Sequence, residues 1–138
     1  MKTIELKNIP VGILLIASFW MFGALILFIN VFTNPVGVCE SIASAHGLSP
    51  MNGVEFVLII AGLALTLGYG LIRLSRWGFI LTLVYSLYLC FVSLLRGGLS
   101  FAWAPQPETQ VYFGNFLWSA LVVIYLAMMR RHFFHGRS

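Results

Sequence analysis

Polar residues in this chain come in short clusters, separated by long apolar stretches. Residues 10–33 carry no charged side chain, and residues 51–74, 76–97 and 110–131 carry charges only toward their ends. Each run matches the roughly 20 residues that a helix needs to cross a hydrocarbon core. The pattern predicts an all-α fold, an integral membrane four-helix bundle threaded up-down-up-down, with residues 1–138 forming one membrane domain.

Punctuation residues set the boundaries. Pro10 can open the first helix, because the missing N–H has no helical partner in a first turn. Asn34-Pro35 should close it, since a residue before proline avoids the helical region. In the connection 34–50, residues 36–46 can form a short amphipathic helix at the bilayer surface, ended by Gly47. Val38, Ile42 and Ala45 would share one face, with Glu40, Ser41 and Ser44 on the other. Ser49-Pro50 reads as an N-cap followed by a first helical residue. Gly97-Gly98 should end the third helix. Trp103, Pro105, Pro107 and Glu108 then form a loop, whose second proline can open the fourth helix.

Composition narrows the class. The chain has 138 residues, 60% hydrophobic and 9% charged. A soluble domain carries about 25% charged residues, so this chain could not cover a water-facing surface. The same numbers exclude soluble disorder. Lys2 and Lys7 before an apolar run, with Ala43-Ser44-Ala45 beyond it, also fit a cleaved leader. However, the run far exceeds the usual 7 to 15 residues of a leader, so it is expected to be retained as the first helix.

The formal charge of +4 would suggest nucleic acid in a soluble protein. No stripe of Lys/Arg with interleaved aromatics lies outside the apolar runs, so no nucleic-acid partner is expected. The charges mark orientation instead. With both termini inside, the inner ends hold Lys2, Lys7, Arg73, Arg76, Arg130, Arg131 and Arg137, against Arg96 alone outside. Cytoplasmic loops carry the excess of basic residues, which predicts N-in, C-in. Trp77 would lie at the inner interface, Trp103 and Tyr112 at the outer one, and Trp20 mid-span as a packing or lipid-facing residue rather than a binding one.

Small residues recur at spacing four: Gly62, Thr66 and Gly70 on the second helix, and Gly78, Thr82, Ser86 and Cys90 on the third. Such stripes let helix backbones approach, so these two helices are expected to face each other. Small residues are also simply frequent in membrane helices. Counting from the turn at Arg73–Trp77, Glu55 and Arg96 come out level, because rise per residue is constant. An ion pair between them would fix the hairpin; the simpler reading is that each reaches the headgroups separately.

Chemistry-bearing motifs are sparse. Asn30, Asn115 and Ser119 are polar groups within spans, and the last two share a face; hydrogen bonding across helices is their ordinary role. Every Glu, Lys and Arg maps to an end or a loop, and a proton or ion path normally needs an ionisable group at depth. His132 and His135 could share a helical face toward a metal, but no third ligand is near. His46 lies in the outer connection. Cys39 and Cys90 should be far apart, and no metal cluster is expected. No Ser-His-Asp, HExxH or phosphate-binding glycine pattern occurs. Catalysis therefore has little to stand on.

Around the turn, Gly68-Tyr69-Gly70-Leu71-Ile72-Arg73-Leu74-Ser75-Arg76-Trp77-Gly78 resembles a junction found in small, uncharacterised four-helix bacterial membrane proteins with domain-of-unknown-function labels. The resemblance implies four helices and a bacterial-type membrane, and supplies no activity or site residue.

The expectation is a non-catalytic structural, assembly or accessory subunit of a larger membrane complex, or a homo-oligomer, in a bacterial cytoplasmic membrane or one derived from it. Its partners would be the bilayer and other membrane subunits or itself. In an energy-converting complex it could contact lipid, quinone or pigment, with His46, His132 and the tryptophans as handles; no other cofactor is expected. The rival is a small oligomeric transporter or channel lined by Thr66, Ser86, Asn115 and Ser119. A lipid-acting enzyme would have only Glu55, Arg96 and Glu108.

Overall fold

The computed structural model describes residues 9–48, 53–97 and 107–134, with the side chains of 107–109 outside the description. The described part is all-α: α1 (Val11–Thr33), α2 (Pro35–Ala45), α3 (Val54–Ile72), α4 (Arg76–Leu95) and α5 (Pro107–Phe134). The four longer helices are each long and apolar enough to cross a membrane. Their bounds fall close to the expected runs, except that α5 is longer at both ends. The expected cap at Ser49-Pro50, the Trp103–Pro105 loop, His135, Arg137 and the N-terminal lysines lie outside the described residues.

The helices stop and turn for local reasons. Asn34 ends α1 and caps α2, its side-chain oxygen accepting from the Gly37 N–H at 3.2 Å, with Pro35 as the first helical residue. At the far end of α2, Gly47 takes φ +72. The Leu48 N–H then reaches Ala43 O and the Gly47 N–H reaches Ser44 O, a Schellman stop that satisfies carbonyls the helix would leave orphaned. The same stop closes α3, with Leu74 in the left-handed position at φ 48. There the Ser75 N–H bonds Gly70 O and the Leu74 N–H bonds Leu71 O. A left-handed non-glycine residue costs roughly 1–2 kcal/mol, and Ser75 helps to offset it. Its hydroxyl donates to Gly70 O at 2.9 Å and accepts from the Gly78 N–H at 3.2 Å, capping α4.

The α3–α4 connection is so tight because the two backbones touch. A Cβ on Gly78 would lie 2.5–2.7 Å from backbone atoms of Gly70, and one on Gly70 would lie 2.8 Å from Gly78 Cα and from the Trp77 ring. Farther from the turn the expected stripes do not meet. Gly62 and Thr66 are exposed; nothing lies within 4 Å of a Cβ built on Gly62, and the Thr66 hydroxyl bonds Gly62 O of its own helix. On α4, Thr82 and Ser86 are buried and Cys90 is half-buried.

The main partner of α3 is α1, and that of α4 is α5. Gly68 explains the first pairing: a Cβ there would meet Ala17 O at 3.1 Å and the Met21 side chain closer still. Ala17, Ala24, Ala61 and Ala64 are buried in the same core cluster as Ile13, Ile16 and Trp20. The small residues that seat α3 are thus Gly68 and alanines, while Gly62 and Thr66 face outward. Aromatic side chains join the rest. Phe79 of α4 packs on Phe133 and Phe134 of α5 at 5.0 and 5.4 Å; Phe19 of α1 on Trp118 of α5 at 4.1 Å; Trp20 of α1 on Tyr85 of α4 at 5.4 Å. Trp20 is therefore a packing residue, 9% exposed.

Candidate functional site

The densest polar cluster lies where α2 covers the end of the longer helices opposite the Arg73–Ser75 turn. Along α2 the buried positions are Val38, Cys39 and Ala43, followed by its C-cap His46. Val38 and Cys39 pack with Val31 of α1 and Val57 of α3. This face is rotated slightly from the expected one. Glu40 and Ser41 do point outward, but Ser44 turns inward because the Tyr112 hydroxyl of α5 hydrogen-bonds its hydroxyl.

His46 is only 6% exposed, and its ring is bonded at both nitrogens. Nδ1 lies 2.8 Å from Ile42 O and Nε2 lies 2.6 Å from the Tyr85 hydroxyl. A carbonyl can only accept, so Nδ1 carries the hydrogen. Burial lowers the pKa of His46, and the bond to Ile42 opposes that only in part. The ring is therefore neutral, and Nε2 accepts from the Tyr85 O–H. One turn along α4, the Tyr88 O–H donates to the His46 main-chain carbonyl at 2.6 Å. That carbonyl, at the C-cap of α2, has no helical N–H to donate to it. Phe56 of α3 closes the remaining side, edge-on to the imidazole at 5.7 Å.

This arrangement fastens α2 to α3, α4 and α5 through neutral hydrogen bonds and ring contacts. With both nitrogens occupied, His46 offers no free lone pair to a metal and no free base to a substrate. Among the described residues, no group of three or more His, Cys, Asp or Glu could hold a metal ion. Cys39 and Cys90 are free thiols.

The other expected site residues are dispersed. Glu55 is in the first turn of α3 and Arg96 caps the end of α4. Both are exposed, and among the described residues no ion pair joins them. The Glu55 carboxylate lies back against Gly53, where an added Cβ would be 2.6 Å from its Oε2. Asn30 and Asn115 are half-buried and Ser119 is buried. The hydroxyls of Ser86 and Ser93 and the indole N–H groups of Trp20 and Trp118 are buried without a hydrogen-bond partner. At the opposite end, Arg73 and Arg76 line a pocket with His132, while Arg130 and Arg131 are exposed beside it in sequence.

Sequence reasoning missed Tyr85 and Tyr88, and it placed Tyr112 at the outer interface without its partner Ser44. One signal was available: Tyr85 and Tyr88 sit three apart on one helix face, within an otherwise apolar run. Which group they would meet depended on how α2 folds back, and nothing local states that. Compared with protein-family models, with curated proteins and with solved structures, the chain matches none.

Proposed function

We propose that the protein is a non-catalytic integral membrane subunit that structures or assembles a larger membrane complex. One observation carries this reading: the polar groups of the α2 cluster are used up in holding the fold, while the described helices expose many large apolar side chains. His46, Ser44, Tyr85, Tyr88 and Tyr112 bond one another or the main chain. Along α1, Val11, Leu15, Phe22, Ile29 and Phe32 are each more than half exposed. In lipid there is no hydrophobic drive between helices, so such a surface associates by shape and close packing, which suits neighbouring subunits as well as acyl chains.

We read the threading as an up-down-up-down bundle with both termini inside, a reading that rests on where the charges fall. Arg73, Arg76, Arg130 and Arg131 fall toward one end, and Glu40, Glu55 and Arg96 toward the other, which agrees with basic residues facing the cytoplasm. Together with the resemblance of residues 68–78, this favours a bacterial cytoplasmic membrane. A transporter reading would need Thr66, Ser86, Asn115 and Ser119 on one surface. Thr66 is exposed while Ser86 and Ser119 are buried, so the accessory role is the better supported.

The test is gentle extraction from the native membrane, followed by identification of what travels with the protein. A stoichiometric larger assembly is the expected result. A lone stable oligomer that passes solute in liposomes would sink the reading.

A further inference from the structure

At the end of the molecule away from α2, the turn between α3 and α4 and the end of α5 enclose a pocket of about 980 Å³. Its walls are Tyr69, Arg73, Ser75, Arg76, Trp77 and the His132–Phe134 segment. Two guanidiniums thus face one cavity, and among the described residues neither has an acidic partner. Each is held by a ring instead: Arg73 lies 5.8 Å from the Tyr69 centroid, and Arg76 lies 5.8 Å from that of Phe134. A ring attracts a cation through its quadrupole and uses none of its N–H donors. The two forks therefore keep their hydrogen-bonding edges free, in the geometry that suits the oxygens of a phosphate. Helix α3 ends here and α4 begins, so their terminal partial charges oppose each other and the guanidiniums set the sign of the field.

We infer that this pocket binds the phosphate of an anionic phospholipid headgroup from the leaflet at that end. The inference rests on the membrane reading but not on the accessory role. A lipid is favoured over a free anion because the pocket continues into apolar surface. Trp77 is 43% exposed at its rim, and Ile80, Leu81 and Val84 lie exposed along α4 in the next two turns, where acyl chains can run. Trp77 and Tyr69 also have the amphipathic character of residues at headgroup depth.

The test uses the full chain in phosphatidylcholine vesicles containing either brominated phosphatidylglycerol or brominated phosphatidylcholine at equal mole fraction, with quenching of tryptophan fluorescence as the readout. Co-flotation with the vesicles checks insertion separately, so a failed membrane reading is distinguishable from a failed lipid site. Two basic residues near a membrane surface predict an apparent preference of about 30-fold for the anionic lipid. Arg73→Gln/Arg76→Gln should abolish the preference, while Arg130→Gln/Arg131→Gln, outside the pocket lining, should keep most of it. Trp77→Phe, with both arginines present, should lose the excess quenching because the reporter in the pocket is gone. Equal quenching by the two lipids in the unaltered chain would overturn the inference. So would equal loss in both arginine variants, excess quenching that survives Trp77→Phe, or a preference erased by inorganic phosphate at matched ionic strength.

Discussion

Gly78→Ala tests the contact that sets the α3–α4 hairpin. The added Cβ would lie 2.5, 2.6 and 2.7 Å from Gly70 C, Cα and O. Ordinary carbon contacts begin about 1 Å farther out, so the two helices must part by roughly that much. They cannot part locally, because Ser75 binds both sides of the turn through Gly70 O and the Gly78 N–H. Overpacking of this kind costs about 1–3 kcal/mol, and a backbone partner favours the upper part of that range. Alanine returns up to about 1 kcal/mol in helix propensity. The net loss is then about 1–2 kcal/mol, a 5- to 30-fold fall in the folded-to-unfolded ratio. Gly62→Ala is the matched control, since a Cβ there meets nothing within 4 Å; it should be neutral or stabilising by up to about 1 kcal/mol. Reversible unfolding in mixed micelles, titrated with a denaturing detergent and followed by tryptophan fluorescence, measures both. A Gly78→Ala chain as stable as the parent would refute the reasoning, as would equal damage from Gly62→Ala.

Other measurements address the α2 end and the orientation. His46 has a lowered pKa in the folded state, so the unfolded chain binds the proton first. Stability should be fully present above about pH 6.5 and decline as pH falls through the folded value; His46→Gln should flatten this acid limb of the melting curve, and an unchanged limb would count against the assignment. Tyr88→Phe leaves the His46 carbonyl without its hydroxyl donor and should cost about 0.5–1.5 kcal/mol, with faster amide exchange confined to α2 as its signature. A Glu55→Gln, Arg96→Gln double-mutant cycle should give coupling within error of zero; a clear coupling energy would show that the two charges do meet. With both native cysteines replaced by serine, Glu40→Cys should react with an impermeant maleimide from outside intact cells and Arg131→Cys only after permeabilisation; the reverse would invert the proposed orientation.

Much of the architecture was legible because its causes are local. Charge-free runs, Asn34-Pro35, Gly47 and Gly97 act through backbone conformation and solvation, which neighbours in sequence determine. The short α2 could be read from the same signals, even though its inward face lies slightly round from the expected one. The stripe Gly62-Thr66-Gly70 shows where such reading stops. Spacing four places three residues near one helix face but does not say which neighbour that face meets. Only Gly70 meets α4, and Gly68, two residues away and on another face, seats α3 against Ala17 of α1.

What the sequence by itself determined was the solvent of this protein, the number of its long helices and where they end. Those follow from how many consecutive apolar residues a bilayer needs and from the residues that cannot continue a helix. The tertiary structure alone decided the partners. Glu55 and Arg96, level in sequence arithmetic, stay apart because each can reach solvent or headgroups without desolvating the other. His46, a loop residue by position, becomes buried because Tyr85 and Tyr88 supply the bonds that make its burial affordable. Arg73 and Arg76, topology markers in the sequence, share one cavity because the Gly70–Gly78 contact makes the turn tight enough to hold them side by side against α5.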